Sequence, residues 1–466
     1  VTQKTYTDAD LATLTAALPY VEQWLDYRTW STRTPGVQAS VLFDDAVQFS
    51  SAFGVADLVT QEPLTTTHLF RIASHSKTFT ATAILQLAET GALRLDDPVE
   101  QFVPALAESG LAGVTVRELL GHSAGIIRDG LNGDYWQGTR PFPDEAELLE
   151  ILVDEGKIFE RNETFKYTNI GYSLLGLIIA AASGQTYNEY VATEICARLG
   201  LANTGPELDP ARASEYAAPH TGLQTARERI RVDHVDTRAM AAATGFYSTS
   251  DDLVRYFAAH RYGDESLLSD ASKRLQQRLE WQTHPEEIAG GHYGLGMIAE
   301  KVGDHAIIGH SGGYPGHITR SVLDPHTGLA ISVLTNAGDG PASELVLGVL
   351  RILDFATAQP LGENAIDGSA FVGRFANMWG VMDVAQLGNR LVALHPGQAS
   401  PVAAFDELEI SDDDTLVFSA GSGYGSIGEK LVYTRAADGS IEKIQGGGGM
   451  TMWPIEAYRE REASRE

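Results

Sequence analysis

Ser74-His75-Ser76-Lys77 stands directly before an apolar run carrying Phe79, Ala83, Ile84, Leu85, Leu87 and Ala88. The spacing predicts a helix from Ser76 to about Leu93, with Gly91 as a plausible C-cap. The tetrapeptide is an S-x-x-K pattern at the mouth of that helix. Positions i and i+3 share a helix face, so the Ser74 hydroxyl and the Lys77 amine can meet. A helix N-terminus also offers backbone N–H groups and the positive end of the macrodipole to a developing oxyanion. Serine needs a base to become a nucleophile, and an ordinary lysine, with a pKa of about 10.4, is protonated at neutral pH. A shift of roughly three units, about 4 kcal/mol, is needed, and burial beside a second titratable group can supply it.

Working outward, apolar residues at Leu11, Leu14, Leu18, Val21 and Leu25 predict an amphipathic helix over Asp8 to Leu25, bent or restarted at Pro19. Val37 to Phe43 and Ala46 to Phe53, separated by Asp44-Asp45, read as a β-hairpin. Residues 94 to 245 are mostly helical in pattern and form a helical subdomain. Strand-like runs follow at Tyr293 to Val302, Ala306 to Ile308, Ile318 to Leu323 and Leu329 to Thr335, then a helix over Ser343 to Thr357. Beyond Pro360 short alternating segments predict a separate antiparallel β domain. The expected boundaries are 1–358 for the first domain and 359–466 for the second.

Two further clusters complement the serine and lysine. Tyr167-Thr168-Asn169 lies on a loop before the helix expected over Gly171 to Ala182; a phenol there can relay a proton, and an amide can hydrogen-bond Lys77 or a substrate carbonyl. His310-Ser311-Gly312-Gly313 falls between the strands ending at Ile308 and starting at Ile318. Its glycines allow backbone N–H groups to approach a ligand, as an oxyanion hole requires.

The order and setting of S-x-x-K, Y-x-N and H-x-G resemble those of the penicillin-recognising serine hydrolases. The similar branch includes class C β-lactamases, D-alanyl-D-alanine carboxypeptidases, D-aminopeptidases and related esterases. The resemblance covers about residues 10 to 355 and extends to Leu119-Leu120-Gly121-His122-Ser123-Ala124-Gly125-Ile126 and Gly245-Phe246-Tyr247-Ser248-Thr249. Residues 369 to 455, from Ser369-Ala370-Phe371-Val372-Gly373-Arg374-Phe375, resemble lipocalin-like C-terminal domains. The implied fold class is α+β: an antiparallel sheet flanked by helices, with a helical subdomain and a C-terminal antiparallel β domain.

The resemblance implies roles. Ser74 attacks a carbonyl, Lys77 and Tyr167 share the base work, and Tyr167 protonates the leaving group. Asn169 holds the network together; His310, Ser311 and Gly312 line the site; the N–H groups of Ser74 and Gly313 hold the oxyanion. Lys77 and Tyr167 titrate as a pair, so the choice of base stays open. His310 stands where β-lactamases of this kind usually carry lysine, which moves the expected substrate away from β-lactams. The leading expectation is hydrolysis of a small ester or amide, including short D-amino-acid peptides; a β-lactamase or DD-carboxypeptidase is the alternative. A non-catalytic binding or sensor protein is the rival from another class.

Composition narrows the partners. The 466 residues carry 34 Lys plus Arg against 62 Asp plus Glu, and the net charge of −28 disfavours nucleic acid and anionic membranes. The single cysteine, Cys196, excludes an intrachain disulfide, and its aliphatic neighbours make it read as a buried small apolar side chain with no chemistry of its own. No metal or cofactor is expected, since no ligand spacing or phosphate loop occurs. An oligomer is compatible with the reading. A cytoplasmic location, or a leader removed before the first numbered residue, is the expectation from the absence of a signal-like N-terminus. His122 reads as a structural histidine rather than a catalytic one, His317 and Arg320 equally as substrate contacts or a salt-bridged rim, and Tyr135, Trp136 and Trp453 as core packing rather than walls of an acyl pocket.

Overall fold

The computed structural model describes residues 5–283, 291–363, 365–421 and 425–464. They divide into two compact units: Thr34–Val346, and Thr5–Arg33 together with Leu347 onward. The division falls about a dozen residues before the boundary expected near 358, and it assigns the N-terminal helix to the second unit.

In the first unit the strands are β1 (Gly36–Phe43), β2 (Ala46–Asp57), β3 (Glu62–Pro63), β4 (Phe70–Arg71), β5 (Tyr247–Ser248), β6 (Trp281–Gln282), β7 (His292–Tyr293), β8 (Ile298–Val302), β9 (His305–Tyr314), β10 (His317–Leu323) and β11 (Ala330–Thr335). Nine of these form one antiparallel sheet in the order β3-β2-β1-β11-β10-β9-β8-β7-β6. The expected hairpin is β1–β2. All eight residues of β1 are buried, as befits a strand paired on both sides, by β2 and by β11. Strands β4 and β5 pair separately, as a short ribbon of Phe70 with Ser248 and Arg71 with Tyr247.

One expectation changes here. His310 to Gly313 do not connect two strands but lie inside β9, paired in register with Ser321 to Ile318 of β10. Glycine is a poor strand former, which hid the continuation. The structure uses it for close approach: a Cβ at Gly309 would stand 2.0 Å from the Ser321 carbonyl oxygen.

The helix after the S-x-x-K serine spans Ser76–Thr90 and ends at Gly91 with φ +77, a left-handed C-cap. Twelve of its fifteen residues, from Ser76 through Leu87, are buried, so it is a core helix rather than a surface one. Phe79 stacks between Phe246 (4.3 Å between centroids) and Tyr256 (3.8 Å). The region 94–245 is built from short helices joined by loops, with Asn169–Ser183 as its long helix, because Gly, Pro and Asp punctuate the sequence between apolar groups.

In the second unit the helix Asp8–Ser31 runs through Pro19 without a break and starts from a capping box of Thr7 and Asp10. Eight antiparallel strands, from Gly373–Asn377 to Met450–Pro454, close into a barrel around Phe371, Phe375, Leu391, Phe418 and Tyr433. Arg374 makes a bidentate ion pair with Asp383 at 2.7 and 2.9 Å.

Phe79 anchors the helix that carries Lys77. Phe79→Ala is expected to destabilise the first unit by about 3–5 kcal/mol, read as a lower urea midpoint of its unfolding transition.

Candidate active site

Ser74 sits in a single tight turn, Ala73–His75, that feeds the Ser76–Thr90 helix. Ala73 is held at φ +47, a left-handed conformation costing of order 1–3 kcal/mol that its surroundings enforce. Those surroundings are visible. Ile72 N–H donates to the Phe246 carbonyl at 2.9 Å, and Ser76 Oγ accepts from Phe246 N–H at 3.1 Å. His75 then locks the turn to the sheet: its Nε2 lies 3.1 Å from Ser321 Oγ and its Nδ1 3.2 Å from Thr319 Oγ1, both on β10. Burial lowers the His75 pKa to about 3, so it is a neutral hydrogen-bonding wedge.

The Lys77 side chain is fully buried. Its Nζ is 2.7 Å from Asn169 Oδ1, 2.9 Å from the Ala243 carbonyl oxygen and 3.3 Å from Ser74 Oγ. Burial pushes the amine well below the ordinary lysine range; Asp129 opposes this and Arg128 adds to it. A neutral amine has two N–H donors and one lone pair. Asn169 Oδ1 and the Ala243 carbonyl can only accept, so they take the two donors and leave the lone pair toward Ser74.

Tyr167 precedes the Asn169–Ser183 helix, whose N-cap Thr168 accepts from Gly171 N–H at 2.8 Å. The Tyr167 ring centre lies 4.8 Å from Lys77 Nζ. Burial raises its phenol above the ordinary tyrosine value, while a hydrogen bond with Ser74 and the charge of Arg128 pull it down. Asn169 is the first residue of the helix, with its Nδ2 donating to Asp129 Oδ1 at 2.7 Å.

His310 is buried on β9, its Nε2 3.1 Å from Tyr293 Oη and its Nδ1 2.6 Å from the Ser311 carbonyl oxygen. Burial holds it neutral, well below the usual histidine range. Gly312 meets the Ser74 turn directly, since a Cβ there would stand 2.1 Å from the Ile72 carbonyl oxygen. Gly313 is exposed, and a Cβ on it would meet only Ile318 Cδ1, at 3.7 Å. The two glycines therefore do different things: Gly312 is a packing necessity and Gly313 lies at the open side of the strand. Ser311 is half-buried beside them.

The residues left aside in sequence fall mostly in the core. His122, at φ +58, accepts from Thr168 N–H through Nδ1 at 3.1 Å and packs its ring 4.3 Å from that of Tyr167. His317 accepts from Arg71 N–H, and Arg320 pairs with Glu300, both buried. Tyr135 packs on Phe142, and Trp453 stacks on Tyr458 in the second unit. Cys196 is buried, its thiol pushed up to about 12. Three contributors were missed. Tyr293 holds His310, the Ala243 carbonyl contributes only backbone, and Asp129 lies in an Arg-Asp-Gly turn with no motif of its own. Among the described residues no group of three or more His, Cys, Asp or Glu side chains could hold a metal, and no helix is long and apolar enough to cross a membrane.

An antiparallel sheet with a serine turn and lysine helix packed beside it is the fold of the penicillin-recognising serine hydrolases. The chain belongs to the Beta-lactamase family, whose model matches residues 20–353. It is 30% identical over 299 residues to penicillin-binding protein 4* of Bacillus subtilis (strain 168), an alignment covering 59% of this chain and 62% of that one. The chain thus spans about three-fifths of that relative's length. It is 27% identical over 384 residues to the esterase EstB of Burkholderia gladioli, covering 72% and 94%. The structure of an octameric penicillin-binding protein homologue from Pyrococcus abyssi superposes with a TM-score of 0.65 at 22% identity, over 93% of this chain and 99% of that one, so the likeness in fold includes the C-terminal barrel.

The two glycines give a direct check. Gly312→Ala is expected to lower stability by about 1–3 kcal/mol through overpacking against Ile72, whereas Gly313→Ala stays within about 0.5 kcal/mol of wild type in thermal denaturation.

Proposed function

We propose that this chain is a serine hydrolase that cleaves a small ester or amide through an acyl-enzyme on Ser74. The observation that carries the reading is the Lys77 amine: buried, supplied with two acceptors, and directed at Ser74 Oγ from 3.3 Å. In the proposed reaction the neutral amine takes the hydroxyl proton as Oγ attacks the substrate carbonyl. The tetrahedral oxygen is held by the N–H groups of Ser74 and Gly313, a type of contact worth roughly 3 to 4 kcal/mol per donor. Tyr167, kept protonated by burial, relays the proton from Lys77 to the leaving group. The C–O or C–N bond to the leaving group breaks; water then attacks the acyl carbonyl, Lys77 takes the water proton and returns it to Ser74 Oγ as the acyl C–Oγ bond breaks and the acid leaves.

The proton inventory favours neutral Lys77 as the group that accepts, with Tyr167 as the relay, although the two titrate as a coupled pair. It also shapes the substrate. His310 is neutral and tied to Tyr293 and Ser311, so the position offers no fixed positive charge to the carboxylate of a β-lactam. The likeness to an esterase along 94% of that relative's length supports ester substrates first.

Three measurements test this. A fluorophosphonate probe is expected to label the wild-type protein at Ser74 and to leave Ser74→Ala unlabelled; equal labelling of the two overturns the proposal. Turnover of p-nitrophenyl esters is expected to fall at least about 10⁴-fold in Ser74→Ala and to exceed turnover of nitrocefin and D-alanyl anilides in wild type. Fast nitrocefin hydrolysis with inert esters would instead select the β-lactamase reading. The pH profile has a defined sign: activity rises as Lys77 loses its proton, so the acid limb falls well below the ordinary lysine pKa, and the raised Tyr167 keeps the plateau open on the alkaline side.

A further inference from the structure

We infer that Asp129 is a positioning residue for the lysine base: its carboxylate fixes the Asn169 amide with Oδ1 toward Lys77 and places a negative charge beside the amine. This rests on the reading of Ser74 and Lys77 given above.

The geometry is specific. Asp129 Oδ1 accepts from Asn169 Nδ2 at 2.7 Å and from Trp136 Nε1 at 2.9 Å, while Oδ2 accepts from Arg128 Nε at 3.1 Å. Both carboxylate oxygens are engaged. The main chain is fixed as well: Asn169 N–H donates to the Arg128 carbonyl at 2.8 Å, and Tyr135 Oη donates to the Asp129 carbonyl at 2.7 Å. The side chain of Asp129 is 16% exposed, so it is mostly screened from water.

A carboxylate only accepts hydrogen bonds, which gives the Asn169 amide one sensible orientation. Turned over, it would set Oδ1 against Asp129 and an N–H₂ group against the donors of Lys77. Held as it is, it presents Oδ1 to Lys77, takes one N–H, and thereby aims the lone pair at Ser74. An Asn at position 129 could present either oxygen or N–H₂ and would remove this constraint.

The charge acts on the same atom. The titratable and charged groups around the Lys77 amine are Asp129 and Arg128 on one loop, Tyr167 and Tyr172 around the start of the Asn169–Ser183 helix, His122 on the turn after Leu120, and His310 on β9. The histidines are held neutral and the tyrosines protonated by burial. Asp129 opposes the adjacent Arg128. Without its charge, Arg128 acts unopposed and Lys77 gives up its proton at lower pH.

The experiment compares wild type with Asp129→Asn and Asp129→Glu, with Asp129→Ser as a second neutral variant should Asn not fold; circular dichroism establishes folding. Protein labelled with ¹³C at lysine Cε, with Lys77 assigned through Lys77→Arg, reports the Lys77 titration by NMR. Fluorophosphonate labelling rates across pH report Ser74. In the neutral variants the Lys77 titration and the acid limb of labelling both move to lower pH, and the plateau rate falls roughly 10- to 100-fold. Asp129→Glu keeps the Lys77 titration near wild type and recovers part of the rate. A folded neutral variant whose Lys77 titration does not move overturns the inference while leaving the Ser74 reading intact. A wild-type protein that never labels at Ser74, with the NMR shift present, overturns the proposed function and leaves the coupling of Asp129 to Lys77 standing.

Discussion

A primary amine sealed inside a protein must either be paired with a full negative charge or give up its proton, because an isolated ammonium is costly to remove from water. Lys77 meets an amide oxygen and a carbonyl oxygen within hydrogen-bond distance, and no carboxylate appears among its hydrogen-bond partners in the described residues. That choice sets much of the first unit's architecture. The Ser76–Thr90 helix has to be a core helix, the segment near Ala243 has to turn a carbonyl inward, and the Asn169–Ser183 helix has to begin at the site. Three segments separated by more than 70 residues each converge on one nitrogen.

The buried histidines of the first unit follow the same logic. His75, His122, His310 and His317 are all buried, and desolvation drives each toward the neutral ring. Each ring then serves as a directional hydrogen-bonding wedge: His75 ties the serine turn to β10, His122 props the loop that carries Tyr167, and His317 holds the backbone of Arg71. Thirteen histidines in a chain of net charge −28 do not make this site cationic. Fixed positive charge near it comes from Arg128, already countered in part by Asp129, and from Arg320, which is spent on Glu300.

Much of this was legible in the sequence wherever a local pattern carried it. The S-x-x-K spacing brought Ser74 and Lys77 together, the Gly91 cap ended the helix, and the first hairpin lies where its turn residues put it. The strand through His310 was misjudged because glycines lower strand propensity, and the tertiary reason for them, the Ile72 carbonyl against Gly312, is invisible from neighbours in sequence. Tyr293 and Asp129 escaped for a related reason. They touch His310 and Asn169 across 17 and 40 residues, and neither belongs to a motif whose spacing encodes the contact.

The N-terminal helix makes the same point at the scale of a whole unit. Its apolar spacing announces a helix but does not say which core it joins. Close packing decides: Trp24 is fully buried, and a Cβ at Gly348 would stand 2.1 Å from its ring. Polar contacts agree, since Thr13 Oγ1 accepts from Leu361 N–H and the Gln23 carbonyl accepts from Arg374, the partner of Asp383 in the barrel. Residues more than 300 positions apart thus share one core. An N-terminal deletion therefore removes a wall of the C-terminal unit, and a reading that assigns domains by order along the chain puts the loss in the wrong place.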